Sequence, residues 1–223
     1  MIAIHQPNFL PYLGFFYKML KADKFILLDN VQYTKGGFTN RNRIKTPAGE
    51  QWLTVPVLKS RLAKRICDVE IDEDQSWRKK HLKTFEMNYK KAPFYDEVMD
   101  QILRFVYKRD YRSLAPFNFA LILEILSYCK KDVKIAIARN AFSYGLGVEH
   151  LIDLIKYYGE SVYLSGPSGR GYLDENLFER EGIRIVYSDF KHPLYGQLWG
   201  SFVFNLSVID ALFMKGPDAL EFD

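Results

Sequence analysis

The chain has 223 residues, 48% hydrophobic and 26% charged, which is enough apolar material for one sizeable core and excludes disorder as the default state. Its net charge of +4, with lysine and arginine gathered in Lys35–Lys45, Lys59–Arg65 and Arg78–Lys91, favours phosphorylated ligands but is weaker than a nucleic-acid footprint, so nucleic acid is not the expected partner. Met1–His5 reaches Pro7 without a basic start, and runs such as Phe119–Tyr128 fall short of the roughly 20 residues that span a bilayer. The expectation is therefore a cytoplasmic protein without a membrane span, with Cys67 and Cys129 as buried free thiols.

Ile2-Ala3-Ile4 reads as a short strand ending at His5-Gln6-Pro7, Pro11–Ala22 as a helix, and Lys24–Asp29 as a second buried strand. A β-α-β unit in a parallel sheet presents its ligand loops at the C-terminal strand ends, here His5–Asn8 and Asp29–Tyr33. Gln51–Val57 and Ile66–Ile71 read as a hairpin around a basic loop. Residues 76–130 carry a helical pattern, three helices interrupted near Pro93 and Pro116, and form an insertion. Strand and helix then alternate: Val133–Ala138, Val148–Tyr158, Ser161–Leu164, Glu175–Glu181, Ile183–Tyr187 and Leu206–Lys215. Repeats and linker-like tracts are absent from the sequence. The predicted architecture is one α/β domain over residues 1–223, a doubly wound, mostly parallel sheet with a helical insertion.

Three polar clusters could carry chemistry. Lys35 to Lys45 follows a strand end and has no apolar pattern; Arg41 could grip phosphate or carboxylate with its fork and Lys35 as a point charge, with Asn40 and Asn42 as substrate contacts, or the stretch is a solvated basic hairpin. His5 and Gln6 end the first strand, His5 as a general base, a phosphate contact or a loop-shaping histidine. Asp29, Gln32 and Tyr33 add an acceptor, an amide and a phenol at the second strand end, where Asp29 could also cap a turn. The third cluster is Ser165-Gly166-Pro167-Ser168-Gly169-Arg170-Gly171-Tyr172-Leu173, an anion cradle of backbone amides or a plain connecting turn. It is neither GxxxxGK[ST] nor GxGxxG. His81, Trp77 and Tyr89 lie on the insertion, and His150 and His192 lack metal spacing, so no metal site is expected.

These residues lie inside a longer pattern. Ile4 to Val57, IHQPNFLPYLGFFYKMLKADKFILLDNVQYTKGGFTNRNRIKTPAGEQWLTVPV, closely resembles the WbqC-like family, and YLSGPSGRGYLD and LSVIDALFMKG resemble its later blocks. That family is associated with polysaccharide gene clusters, O-antigen clusters above all. Leu28-Asp29-Asn30-Val31-Gln32-Tyr33 is also similar to the strand-end motif of pantothenate synthetase, and Ser168–Leu173 to its nucleotide-binding signature. This second resemblance implies a nucleotidylyltransferase-like fold, a carboxylate activated as an acyl-adenylate, and an attacking amine. The HxGH motif of that group would fall on Tyr12-Leu13-Gly14-Phe15, where only the glycine is kept. The resemblance thus assigns the nucleotide to Tyr12, Gly14, Ser168, Gly169 and Arg170, beside Ser165 and Gly166 of the same glycine-rich loop, and shifts the electrostatic task to His5 with Lys18, or to Lys35.

The expected function is an ATP-dependent amide-forming ligase or nucleotidyl transferase acting on an amino acid, small acid or amino sugar. ATP, or another nucleotide, would bring magnesium with its phosphates. The alternatives are an acyl or aminoacyl transferase with a preformed donor, or a non-catalytic module binding RNA or anionic glycan.

Overall fold

The apolar runs near the two ends of the sequence pair with one another. The strands are β1 (Ile2–His5), β2 (Lys24–Leu27), β3 (Arg41–Thr46), β4 (Gly49–Thr54), β5 (Ile135–Ile137), β6 (Val162–Ser165) and β7 (Arg184–Tyr187). The helices are α1 (Leu13–Lys21), α2 (Trp77–Tyr89), α3 (Tyr95–Val98), α4 (Phe105–Tyr107), α5 (Leu114–Tyr128), α6 (Val148–Tyr157), α7 (Glu175–Arg180) and α8 (Val208–Lys215), with a π-helical stretch, Met99–Arg104, joining α3 to α4. This computed structural model describes residues 1–59, 64–73, 76–141, 143 and 145–222. Positions 60–63 of the basic stretch Lys59–Arg65 lie outside the described residues. The chain divides into two compact units, one of Met1–Gln6, Gly14–Asn30 and Val133–Lys191, the other of Pro7–Leu13, Val31–Asp132 and His192–Asp223.

The first unit is a five-stranded sheet in the order β5-β2-β1-β6-β7, every pairing parallel. Ile2, Ala3 and Ile4 in β1 and Phe25, Ile26 and Leu27 in β2 are all buried, as expected of strands covered on both faces. Helices α1, α6 and α7 supply the connections from β1 to β2, β5 to β6 and β6 to β7. Counted among themselves, the strands lie third, second, first, fourth, fifth, the doubly wound order, whose direction of winding reverses between β1 and β6.

The second unit contains the β3–β4 hairpin, in register from Arg41↔Thr54 to Thr46↔Gly49. This corrects the predicted hairpin of Gln51–Val57 with Ile66–Ile71: Gln51–Thr54 pairs backwards along the chain, Val57 and Ile71 share one isolated bridge, and Ile66–Asp68 is a turn of 3₁₀-helix. Arg41–Lys45 of the basic stretch is thus strand, part of β3 in that hairpin. Asn42 and Ile44 point inward and are buried, as is Leu53 opposite Asn42, an alternation hidden by the polarity of Arg-Asn-Arg. The insertion is helical as expected, but its second break falls at 108–113, and Pro116 sits in the first turn of α5. Amides there have no intrahelical acceptor, so proline costs nothing. Phe213 of α8 stacks on Tyr89 at 4.6 Å and on Tyr95 at 5.8 Å. Among the described residues no helix is long and apolar enough to cross a membrane.

Candidate functional site

The pairing of β1 with β2 runs on to His5↔Leu27, whereas β1 pairs with β6 only at Ile2↔Tyr163 and Ala3↔Leu164. Past those residues the neighbours part, at the point where the winding reverses, which is where open parallel sheets hold their ligands. The carbonyl of Ile4, next along β1, accepts a hydrogen bond from Lys18 Nζ at 3.0 Å. Lys18 is 4% exposed, and burial pushes its ammonium down to about 7. His5 Nδ1–H donates to the Gln6 carbonyl at 3.0 Å, and the ring meets Phe15 edge-on at 5.0 Å. Burial first, then the charge of Lys18, holds His5 down at about 3. This shift favours a neutral imidazole at neutral pH, with Nε2 as an acceptor.

On the β6 side of this strand end, Ser165 closes β6, buried, its hydroxyl donating to the Gly166 carbonyl at 3.2 Å. A Cβ on Gly169 would lie 2.1 Å from Ser165 Oγ, so only glycine lets the loop fold back on the strand end. The loop winds into a 3₁₀ turn, Pro167–Gly171, in which Gly169 N–H donates to Gly166 O, and Tyr172 and Leu173 N–H donate to Gly169 O. These three amides are thus used inside the turn. Helix α7 has six residues and carries Asp174 at its cap and Glu175 in its first turn, carboxylates where an anion site needs free donors. Ser168 and Arg170 are exposed, and the Arg170 guanidinium stacks on Tyr187 at 3.9 Å.

On the other flank, Asp29 is 2% exposed and forms an ion pair with Arg139 Nε at 3.0 Å, while its Oδ1 accepts the Arg139 backbone N–H at 3.3 Å. His150 Nε2 meets Asn30 Oδ1 at 3.0 Å, and its Nδ1 touches Ser143 Oγ, which lies 3.1 Å from Asp153 Oδ2. A cavity of about 570 Å³ runs beside β6, β7 and α7, lined by Ser161, Glu175, Glu179 and Arg184.

The remaining predicted residues belong to the second unit, where most are engaged in holding the chain. Asn42 Nδ2 donates to Leu10 O at 2.7 Å and its Oδ1 accepts Arg43 N–H at 2.8 Å. Leu10 has φ +40°, a costly conformation for a branched residue that this bond helps to hold. Asn40 donates to Val55 O at 2.9 Å. Arg41 donates through Nε to Gly36 O at 3.1 Å and stacks over Trp52 at 4.3 Å. Lys35 and Gln32 are exposed, the latter bridged by backbone to Arg65. Burial raises the pKa of Tyr33 and of Tyr12, whose backbone bridges Ser207. His5, Gln6, Gly14, Lys18, Asp29, Ser165, Gly166, Ser168, Gly169 and Arg170 all fall in the first unit.

The sequence matches the WbqC-like protein family over residues 6–222. The chain belongs to that family. The uncharacterized protein Rv1507c of Mycobacterium tuberculosis (strain ATCC 25618 / H37Rv) is 36% identical to this WbqC-like chain over 226 residues, covering 99% of this chain and 96% of the relative. No solved structure matches.

Two features of this WbqC-like chain escaped the sequence reading. Arg139 follows β5 as Asp29 follows β2, so the strand-end rule that selects Asp29 also selects Arg139. The second is a buried network around Lys45, which is 2% exposed. Its Nζ donates to Gln197 Oε1 at 2.9 Å and Ser201 O at 2.6 Å. Its backbone N–H donates to Tyr89 Oη, which donates to Asp210; Tyr195 donates to the other oxygen of Asp210 at 2.9 Å. Burial raises the Asp210 pKa against these donors. His81 is likewise absorbed, between Tyr107 Oη at 3.0 Å and Thr54 O at 3.1 Å. Among the described residues no three His, Cys, Asp or Glu side chains are grouped to hold a metal ion.

Proposed function

We propose that the crevice between β1 and β6 binds the phosphates of a nucleotide, and that this WbqC-like protein is an ATP-dependent amide-forming ligase or nucleotidyl transferase. Its second substrate would be an amino acid, small acid or amino sugar destined for a surface glycan, in keeping with the family's association with polysaccharide gene clusters. The observation that carries the reading is the parting of β1 from β6 beside the buried Lys18. A cation fixed in a low-dielectric wall stabilises phosphate charge far better than one in water. In this reading Lys18 takes the phosphate charge that the HxGH histidines carry in the resembling enzymes. His5 offers the Nε2 lone pair to an amino or hydroxyl donor, and Gly169 lets the Ser165 loop approach closely. Magnesium would be held mainly by the phosphate oxygens.

Calorimetric titration with ATP, CTP, a UDP-sugar and coenzyme A, each with and without magnesium, tests it. Magnesium-dependent ATP or CTP binding that fails in Lys18→Met supports the reading. Silence with ATP and CTP alongside binding of a UDP-sugar or coenzyme A replaces it with a transferase that uses a preformed donor.

One observation favours a non-catalytic role in binding RNA or anionic glycan. Arg41 and Arg43 lie over the half-exposed Trp52 at 4.3 and 5.7 Å, a pairing suited to stacked, negatively charged polymers. Such binding would reside on the hairpin and weaken steeply with salt.

A further inference from the structure

We infer that Arg139, held on the buried carboxylate of Asp29, is the residue that recognises the second substrate, and that this substrate presents a carboxylate at the C-terminal ends of β2 and β5. Naming the ligand as the second substrate rests on the nucleotide reading above; the anion site itself does not.

An isolated carboxylate at 2% exposure is costly unless it is paired. Arg139 contributes to that pairing twice, its backbone N–H donating to Oδ1 and its Nε ion-pairing with Oδ2. The backbone contact ties down the chain beyond β5, and the charge contact keeps the guanidinium beside the carboxylate. Asp29 is thereby a positioning residue, and what it positions faces outward. Arg139 is 40% exposed, and Nε is only one of five guanidinium donors. In the other ion pairs of the described residues the carboxylate is at least 21% exposed. Those are surface pairs of little consequence. The Asp29–Arg139 pair instead has a buried inner end and a solvent-facing outer end at a strand terminus.

Because Asp29 cancels the net charge of Arg139, the site offers direction more than charge. A planar monoanion that takes two parallel N–H bonds suits it better than a phosphate dianion, which needs net positive potential. Two neighbouring strand ends carry the pair, β2 through Asp29 and β5 through Arg139, and β2 adjoins β1, whose end holds His5. The carboxylate site and the crevice therefore lie along one edge of one sheet.

The test is calorimetry on the full chain with acetate, glycine, β-alanine, L-alanine and lactate, each against its carboxamide, and with inorganic phosphate. The expected result is binding of at least one carboxylate, with its carboxamide weaker by about tenfold or more. Arg139→Gln should lose that binding by about thirtyfold, and Arg139→Lys, which keeps charge but not the fork, by about tenfold. Arg139→Gln removes the ion-pair partner of a buried carboxylate and should lower the melting temperature, so binding is measured well below that transition, where circular dichroism is native; Arg139→Lys keeps a cation beside Asp29 and should stay nearer wild type. Absence of binding by every carboxylate, wild-type affinity in Arg139→Gln, or tighter binding of phosphate would each overturn the inference. Carboxylate binding without any nucleotide binding would leave the Arg139 site standing and remove the nucleotide reading.

Discussion

Lys18 in the parallel-sheet unit and Lys45 in the hairpin unit are almost equally buried, at 4% and 2% exposure, yet their surroundings differ in kind. Lys45 meets a side-chain amide and a backbone carbonyl, and its own N–H enters a chain of hydroxyls ending on Asp210. Lys18 meets the Ile4 carbonyl at a place where two strands part. The histidines repeat the contrast: His81 is bonded at both nitrogens, His5 at Nδ1 to the adjacent carbonyl. Residue type and burial alone do not separate structural from functional groups. The separation lies in whether the protein itself supplies the partners a desolvated group needs.

The largest test of that contrast is Lys45→Met, which strips the donor from Gln197 and Ser201 and should cost about 2–3 kcal/mol in urea denaturation. A cost below about 1 kcal/mol would dissolve the distinction. Lys18→Met should do the reverse. The ammonium has a folded pKa near 7 against an ordinary 10.5, so between those values the unfolded chain binds more protons and wild-type stability rises with pH. Below pH 7 the full penalty of the buried charge applies, and the variant should be more stable there by roughly 2 kcal/mol, an advantage that fades toward pH 10. The same variant should bind nucleotide about thirtyfold more weakly, and its affinity should lose the decline above pH 7 expected of wild type.

His5→Gln sharpens the histidine half of the comparison. With His5 held at about 3 against an ordinary 6.5, the unfolded chain binds the extra proton between those values, and wild-type stability falls as pH drops from 6.5 to 3. The substitution should remove up to about 1.4 kcal/mol per pH unit of that slope in acid titrations of stability. A slope identical to wild type would mean that His5 titrates normally. The smallest effect belongs to Arg170→Ala: stability within about 0.5 kcal/mol and nucleotide affinity weakened about threefold. Unchanged affinity would take Arg170 out of the site.

The parallel sheet was legible because strands covered on both faces are written as continuous apolar runs, and β1, β2, β6 and β7 fall within a residue or two of expectation. The hairpin was not, because Asn42 occupies an inward position that would ordinarily carry an apolar side chain. Its partner, the Leu10 carbonyl, is 32 residues away along the chain, a pairing no local pattern reveals. For the proposed site, the strand-end rule selects His5 and Asp29 and applies equally to the end of β5, where Arg139 stands. The composition of the glycine loop suggests an anion cradle, and no local pattern shows that its 3₁₀ turn uses three of its amides internally. Lys18 came forward only through a resemblance, since a helical lysine is ordinarily solvated.

The path of the chain has one more consequence. It passes from one compact unit to the other five times, at 6/7, 13/14, 30/31, 132/133 and 191/192. Neither unit is a single stretch of gene, so neither can be shuffled as a cassette, cloned whole as one fragment, or inherited apart from the other. The mycobacterial relative, alignable over 99% of this chain, fits an ancestry in which the whole length moves as one indivisible piece.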